Sequence, residues 1–182
     1  SRWVVYLADA ELDGRLELYS VAIDGQGFGA RARRLNAPLA PTCHVYDFEI
    51  DADSRRVAYV EEQPQDEGLA LFSVPIQGVR NVRASSGAVR VGRIRLSPSP
   101  GAGEEFNTTQ RFQLGAEGEH ALFLQGSSNG GVPLFAAALD GSVPALSVAN
   151  EVLRFRFTTD GCRALYRTES EHLYRAQLDG LG

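Results

Sequence analysis

FEIDADSRRVAY at 48–59 and FRFTTDGCRALY at 155–166 decide how this chain is built. Each opens on an aromatic ring, passes through polar turn formers and closes on a second ring eleven positions after the first, Phe48 to Tyr59 and Phe155 to Tyr166. The same interval separates Phe112 from Phe123 in FQLGAEGEHALF at 112–123. Short alternating runs joined by Asp, Ser, Thr and Gly predict strand, tight turn, strand. A unit that returns three times in a chain of 182 residues is a structural repeat, and it sets the fold before any single residue does.

A further strand follows each hairpin. LYSVAIDG at 18–25, LFSVPIQG at 71–78, LFAAALDG at 134–141 and LYRAQLDG at 173–180 all begin with leucine and a ring and end on glycine. Glycine supplies the positive φ that a tight turn needs. Leu35 and Leu146 then mark a fourth strand in two of the units. No segment keeps a helical period. Four-stranded antiparallel sheets recurring at roughly 40 to 50 residues predict an all-β protein of about four propeller blades, with no substantial helix. The closing glycines are spaced by 53, 63 and 39 residues, so loop length varies while strand register is kept. Both faces of the strands are apolar, as in Val57-Ala58-Tyr59-Val60, which fits sheets packed on both sides.

The units run approximately 1–40, 45–107, 110–149 and 152–182, within one propeller-type domain. Counting back eleven from Tyr6 leads to a position before Ser1, and the last unit stops near its third turn. The first unit is therefore expected to lack its inner strand and the last its outer strand. With no methionine and a serine at position 1, the sequence reads as a piece of a longer product. Closure of the ring is expected either from further chain or from a second copy, because open sheet faces and edges invite association.

The run from Phe48 to Tyr59 followed by LFSVPIQG resembles the TolB-type propeller repeat. Its usual form is Phe-x-Ser-Pro-Asp-Gly-Lys-Arg-Ile-Ala-Phe, then Leu-Tyr-x-x-Asp-Leu-Asp-Gly. The resemblance covers nearly the whole chain apart from roughly residues 84–107. In place of Pro-Asp-Gly this chain has Ala52-Asp53-Ser54, and only Asp160-Gly161 keeps the Asp-Gly pair of that turn. The resemblance implies a propeller that binds proteins or peptides without a catalytic centre, in the periplasm or at a cell surface. Similar propellers also gate prolyl-oligopeptidase-like serine peptidases, whose hydrolase domain would lie outside this chain.

Composition narrows the chemistry. The 18 basic residues are all arginine, so Schiff-base lysines, a phosphate-loop lysine and lysine bases are excluded. A net charge of −5 argues against nucleic acid as a partner. No apolar run approaches the roughly 20 residues of a membrane span. Cys43 and Cys162 decide nothing about redox compartment, since a disulfide and two reduced thiols are both compatible with their spacing. Asn107-Thr108-Thr109 is a glycosylation sequon, relevant only to a secreted eukaryotic protein.

Gly126-Ser127-Ser128-Asn129-Gly130 matches a nucleophile elbow in letters, but an elbow needs a helix after it and Val132–Leu139 reads as a strand. A glycine-rich connection is the plainer reading. His44, His120 and His172 lack the paired spacing of a zinc site, and Asp51 and Asp53 lack the glycine and distal glutamate of a calcium loop. No catalytic, metal or cofactor residues are therefore expected. The stretch 79–96 is the one unusual segment, with Arg80, Arg83, Arg90, Arg93 and Arg95 and no acid between Glu67 and Glu104. It reads either as a patch for a carboxylate-rich or phosphorylated partner, or as an outer strand and loop whose charge blunts a sheet edge. A break in alternation at Gly92 predicts a bulge.

Overall fold

The computed structural model describes residues 2–23, 31–64, 68–78, 80–84, 87–91, 93–98, 112–126 and 132–178. Side chains of 80–84 and 87–91 are outside the description. Among the described residues there are fifteen strands and no helix, hence none long and apolar enough to cross a membrane. Strands β1 (Trp3–Ala8), β2 (Glu17–Ala22) and β3 (Arg33–Arg34) form the first sheet in that order. Strands β4 (Val45–Ile50), β5 (Arg56–Glu62) and β6 (Leu69–Pro75) begin the second. A hairpin of β7 (Arg80–Ala84) and β8 (Gly87–Val91) then pairs only with itself, and β9 (Ile94–Arg95) completes the order β4-β5-β6-β9. A six-stranded sheet follows in sequence order, from β10 (Phe112–Leu114), β11 (His120–Leu124), β12 (Val132–Ala138), β13 (Leu146–Phe157) and β14 (Arg163–Thr168) to β15 (Leu173–Gln177).

The eleven-residue interval is a pairing register. Phe48 faces Tyr59, Phe112 faces Phe123 and Phe155 faces Tyr166. The second ring in turn faces the ring of the Leu-aromatic strand, giving stacked pairs Tyr6–Tyr19, Tyr59–Phe72, Phe123–Phe135 and Tyr166–Tyr174 with centroids 5.5–5.8 Å apart. Cross-strand aromatic pairs add about 0.5–1.5 kcal/mol each beyond the area they bury. One such pair per unit fixes register four times over, because a slip of one residue would turn the rings to the other face.

Alternate residues of one strand belong to different cores. Val57, Tyr59, Phe72 and Val74 pack with Val5, Leu18 and Leu35 of the first sheet. Ala58 and Leu71, one residue away, pack with Phe123, Ala137 and Leu139 of the third unit. Leu122, Leu134 and Ala136 then pack against Ala164, Phe155 and Tyr166 of the fourth. Sheets buried on both faces and stacked in series are the packing of propeller blades.

Two features differ from four separate four-stranded sheets. Strand β13 serves as both the outer strand of the third unit and the inner strand of the fourth, pairing with β12 through Leu146–Ala149 and with β14 through Arg154–Phe157. Glu151, at φ 57°, lies between the two halves beside register shifts, so the strand changes partner through a single residue in the left-handed conformation. In the stretch 79–96, the outer strand is only Ile94–Arg95, and much of the remainder is the independent hairpin β7–β8. The bulge expected at Gly92, the loop at Gly126–Gly130, the sequon at Asn107, and the Asp24-Gly25 and Asp179-Gly180 turns fall, wholly or in their central residues, outside the described residues. Both cysteines are free thiols, Cys43 buried and Cys162 exposed.

Candidate interaction surface

Of the five arginines singled out in the sequence, Arg80, Arg83 and Arg90 are described in their backbone pairing only. Arg80 faces Val91 and Arg90 faces Asn81 in the β7–β8 ladder, with Arg83 opposite Ala88. Arg93 instead points back into the second sheet. Its Nε donates to the Tyr59 hydroxyl at 2.8 Å, its Nη2 pairs with the Glu61 carboxylate, and its guanidinium lies 3.6 Å from the centre of the Phe72 ring. Arg95, opposite Phe72 in the ladder, donates from Nε to the Ser97 carbonyl at 3.3 Å. Burial pushes the Glu61 carboxyl above its ordinary value, and the Arg93 charge opposes that rise. One carboxylate oxygen, Oε1, takes both Arg93 and Gln63, while the buried Oε2 accepts no hydrogen bond from the described residues. Arg93 thus ties the two-residue outer strand to the sheet.

The first sheet uses a related device. Glu17, fully buried, accepts from the Tyr19 hydroxyl at 3.1 Å and from Arg34 Nη1 at 3.2 Å, with Arg15 Nη2 at 3.6 Å. Arg34 also holds Glu11 at 2.6 Å. Burial, reinforced by the hydrogen bond to Glu17, pushes the Tyr19 hydroxyl up to about 12. Glu17 and Glu61 thus each have an arginine partner, as a buried charge requires.

Asp51 does what a turn residue does: it is buried, and its Oδ1 accepts from Arg55 N–H at 2.7 Å while its carbonyl accepts from Ser54 N–H at 2.9 Å. His44 sits edge-on to Tyr46, and His172 Nδ1 is 3.1 Å from the Ser170 hydroxyl. A small cavity of about 170 Å³ between the third and fourth units is lined by Glu117, Glu119, His120 and Cys162, among others. The Cys162 thiol donates to the Asp160 carbonyl at 3.3 Å there.

A second set of arginines emerges from the pairing of the fourth unit. Arg154 lies opposite Arg167, which lies opposite Leu173; Arg156 lies opposite Leu165, which lies opposite Arg175. Residues two apart on a strand share a face, so these two rows form one face of the sheet. The other face carries Phe155, Tyr166 and Ala164 and packs on the third unit. All four arginines are exposed, and none of their side chains makes an ion pair or hydrogen bond with another described residue. Arg154, Arg156 and Arg167 line a groove of about 650 Å³ together with Leu165 and Leu173, the latter 73% exposed. The alternation Leu153-Arg154-Phe155-Arg156-Phe157 carries this signal in the sequence, but only alignment of the units reveals that the positions of Arg167 and Arg175 hold apolar or small residues elsewhere.

No protein-family model matches the chain, and no curated protein is significantly similar to it in sequence. Its fold does match solved structures. TolB from Acinetobacter baumannii superposes with a TM-score of 0.51 at 12% identity over 99% of this chain and 39% of its own. A puromycin hydrolase gives 0.60 at 19% identity over 100% of this chain and 30% of its own. A structure from a study of two prolyl endopeptidases gives 0.57 at 10% identity over 100% of this chain and 27% of its own. The chain therefore spans between 27 and 39% of the length of these three structures.

Proposed function

We propose that this chain, a β-propeller with the TolB-like fold, is a non-catalytic module that binds a protein or peptide. The observation that supports this most is the outward face of β14 and β15. There Arg167, Leu173 and Arg175 are exposed, whereas the matched positions of the inner units are covered by a neighbouring sheet. An exposed face with large apolar side chains, rimmed by charge, is a binding surface for polypeptide. The face can be covered by a separate protein, by further blades, or by a second copy that closes the ring; the likeness to TolB supports a location in the periplasm or at a cell surface. Nucleic acid is disfavoured by the net charge of −5. Affinity capture with the 182-residue chain, followed by light scattering of the recovered complex, tests this reading. A defined complex with a polypeptide supports it; a monodisperse monomer that recovers no polypeptide counts against it.

A second reading is supported by the likeness to the puromycin hydrolase and to the prolyl endopeptidase structure. In it the chain is an accessory propeller that gates the active site of a serine peptidase, and the nucleophile lies in a separate hydrolase domain. Mixing the chain with a serine-reactive fluorophosphonate probe separates the two: labelling of this chain itself would contradict both.

A further inference from the structure

We infer that the arginine face of the fourth unit is a docking surface for a carboxylate-rich polypeptide layer, an inference that rests on the binding-module reading and names its partner class. Measured from the stacked ring pair of each unit, the positions facing the next sheet are Val5, Leu7, Leu18 and Ser20 in the first unit and Ala58, Val60, Leu71 and Ser73 in the second. In the third they are Leu122, Leu124, Leu134 and Ala136. All of these are apolar or small, and none is exposed. In the fourth unit the same positions are Leu165, Arg167, Leu173 and Arg175.

The inner strands show the same reversal. Flanking the inner-strand ring, the second unit has Asp47 and Glu49, and the fourth has Arg154 and Arg156. The position of Glu49 reaches across the gap between sheets, because its Oε2 accepts from the Leu114 N–H of the next unit at 3.2 Å. Arg156 holds that position in the fourth unit and directs donors toward whatever covers the face.

A covering layer built like the inner units would bury the Arg167 and Arg175 guanidinium groups against Leu and Ala with no counter-charge, which is strongly unfavourable. The layer that fits must bring carboxylates into register with the two arginine rows, where bidentate pairing is available. It must also bring aliphatic groups to cover Leu165 and Leu173. That combination describes an acidic, partly apolar polypeptide surface. A nucleic-acid backbone would leave the leucines uncovered, and the first sheet of a second copy offers Glu11 and Glu17 already paired to Arg34 and Arg15.

The test is fluorescence anisotropy of the 182-residue chain with a labelled decapeptide of alternating Glu and Leu. The matching Gln–Leu peptide and an oligo-dT of equal charge serve as comparisons. Binding of the Glu–Leu peptide is expected to weaken by about tenfold or more in Arg156→Gln/Arg175→Gln, and to weaken with added salt. Arg31→Gln/Arg55→Gln, which removes equal charge elsewhere, should bind as the parent chain does. Circular dichroism melts matching the parent establish that each variant is folded. No binding, equal loss in the two double variants, or tighter binding of oligo-dT overturns the inference. So does a light-scattering mass of two chains that falls to one in Arg156→Gln/Arg175→Gln, since the occupant would then be a second copy. If the peptide fails while affinity capture still recovers a polypeptide, the arginine face is excluded and the binding-module reading stands. If both fail, both fall.

Discussion

Ser54, Gly118 and Gly161 occupy the same turn position, six residues after the first ring of their hairpins, and all three take the left-handed conformation, with φ 55°, 73° and 69°. The backbone asks for glycine there, and Ser54 adopts the conformation at a cost of about 1 kcal/mol. Ser54→Gly is accordingly expected to raise stability by up to about 1 kcal/mol, read from a urea melt with unchanged slope. Arg93 is a residue of the opposite kind, replaceable in the turn chemistry of its strand but not in its contacts. Arg93→Ala leaves Glu61 buried without its counter-charge, and a loss of about 2–3 kcal/mol is expected from thermal or urea unfolding. Tyr19 adds a pH signature. Its hydroxyl is raised from 10.0 to about 12, so the folded state favours the neutral phenol. That contribution is complete below pH 10 and is lost as pH rises through 12. Tyr19→Phe should reduce the fall in stability between pH 10 and 12, while Tyr59, raised by burial in the same direction, keeps part of it.

Among elements, the closest test of blade packing is Gly141. It takes φ 72°, and a Cβ built there would lie 2.6 Å from Ile94 Cγ2 on the outer strand of the second unit. Gly141→Ala combines backbone strain with that clash, and a loss of about 1–3 kcal/mol is expected by urea unfolding. The hairpins could be read from sequence because their information is local: ring, turn and ring lie within twelve residues, and the turn residues declare where the chain reverses. The outer strands were legible only in part, since Leu35 and Leu146 mark two of them but neither gives their extent. At two residues each, β3 and β9 carry too little alternation to announce a partner. The hairpin β7–β8 was hidden for a related reason, since Arg-Asn-Val-Arg and Val-Arg-Val alternate equally well as an edge of the second sheet or as a sheet of their own. The continuity of β13 depends on Glu151 taking a positive φ, which no glycine or asparagine at that position foretold.

For the whole molecule, the sequence signal was strongest for what repeats and weakest for what departs from the repeat. The ring pairs gave the units and their order. The arginine face of the fourth unit is a departure, visible only when Arg167 and Arg175 are placed in the register of Val60 and Ser73. Charge density along the chain points instead to Arg80 through Arg95, because no acid interrupts that stretch. Pairing shows that density along the sequence and density on a surface are different properties: Arg93 turns inward to Glu61, while Arg154 and Arg167, thirteen residues apart, are direct neighbours. Hydrogen–deuterium exchange of the chain with and without the alternating Glu–Leu peptide separates the two surfaces in one measurement. Protection confined to residues 153–156, 163–168 and 173–177 is expected. Protection of 80–91 instead, or none anywhere, would contradict the account.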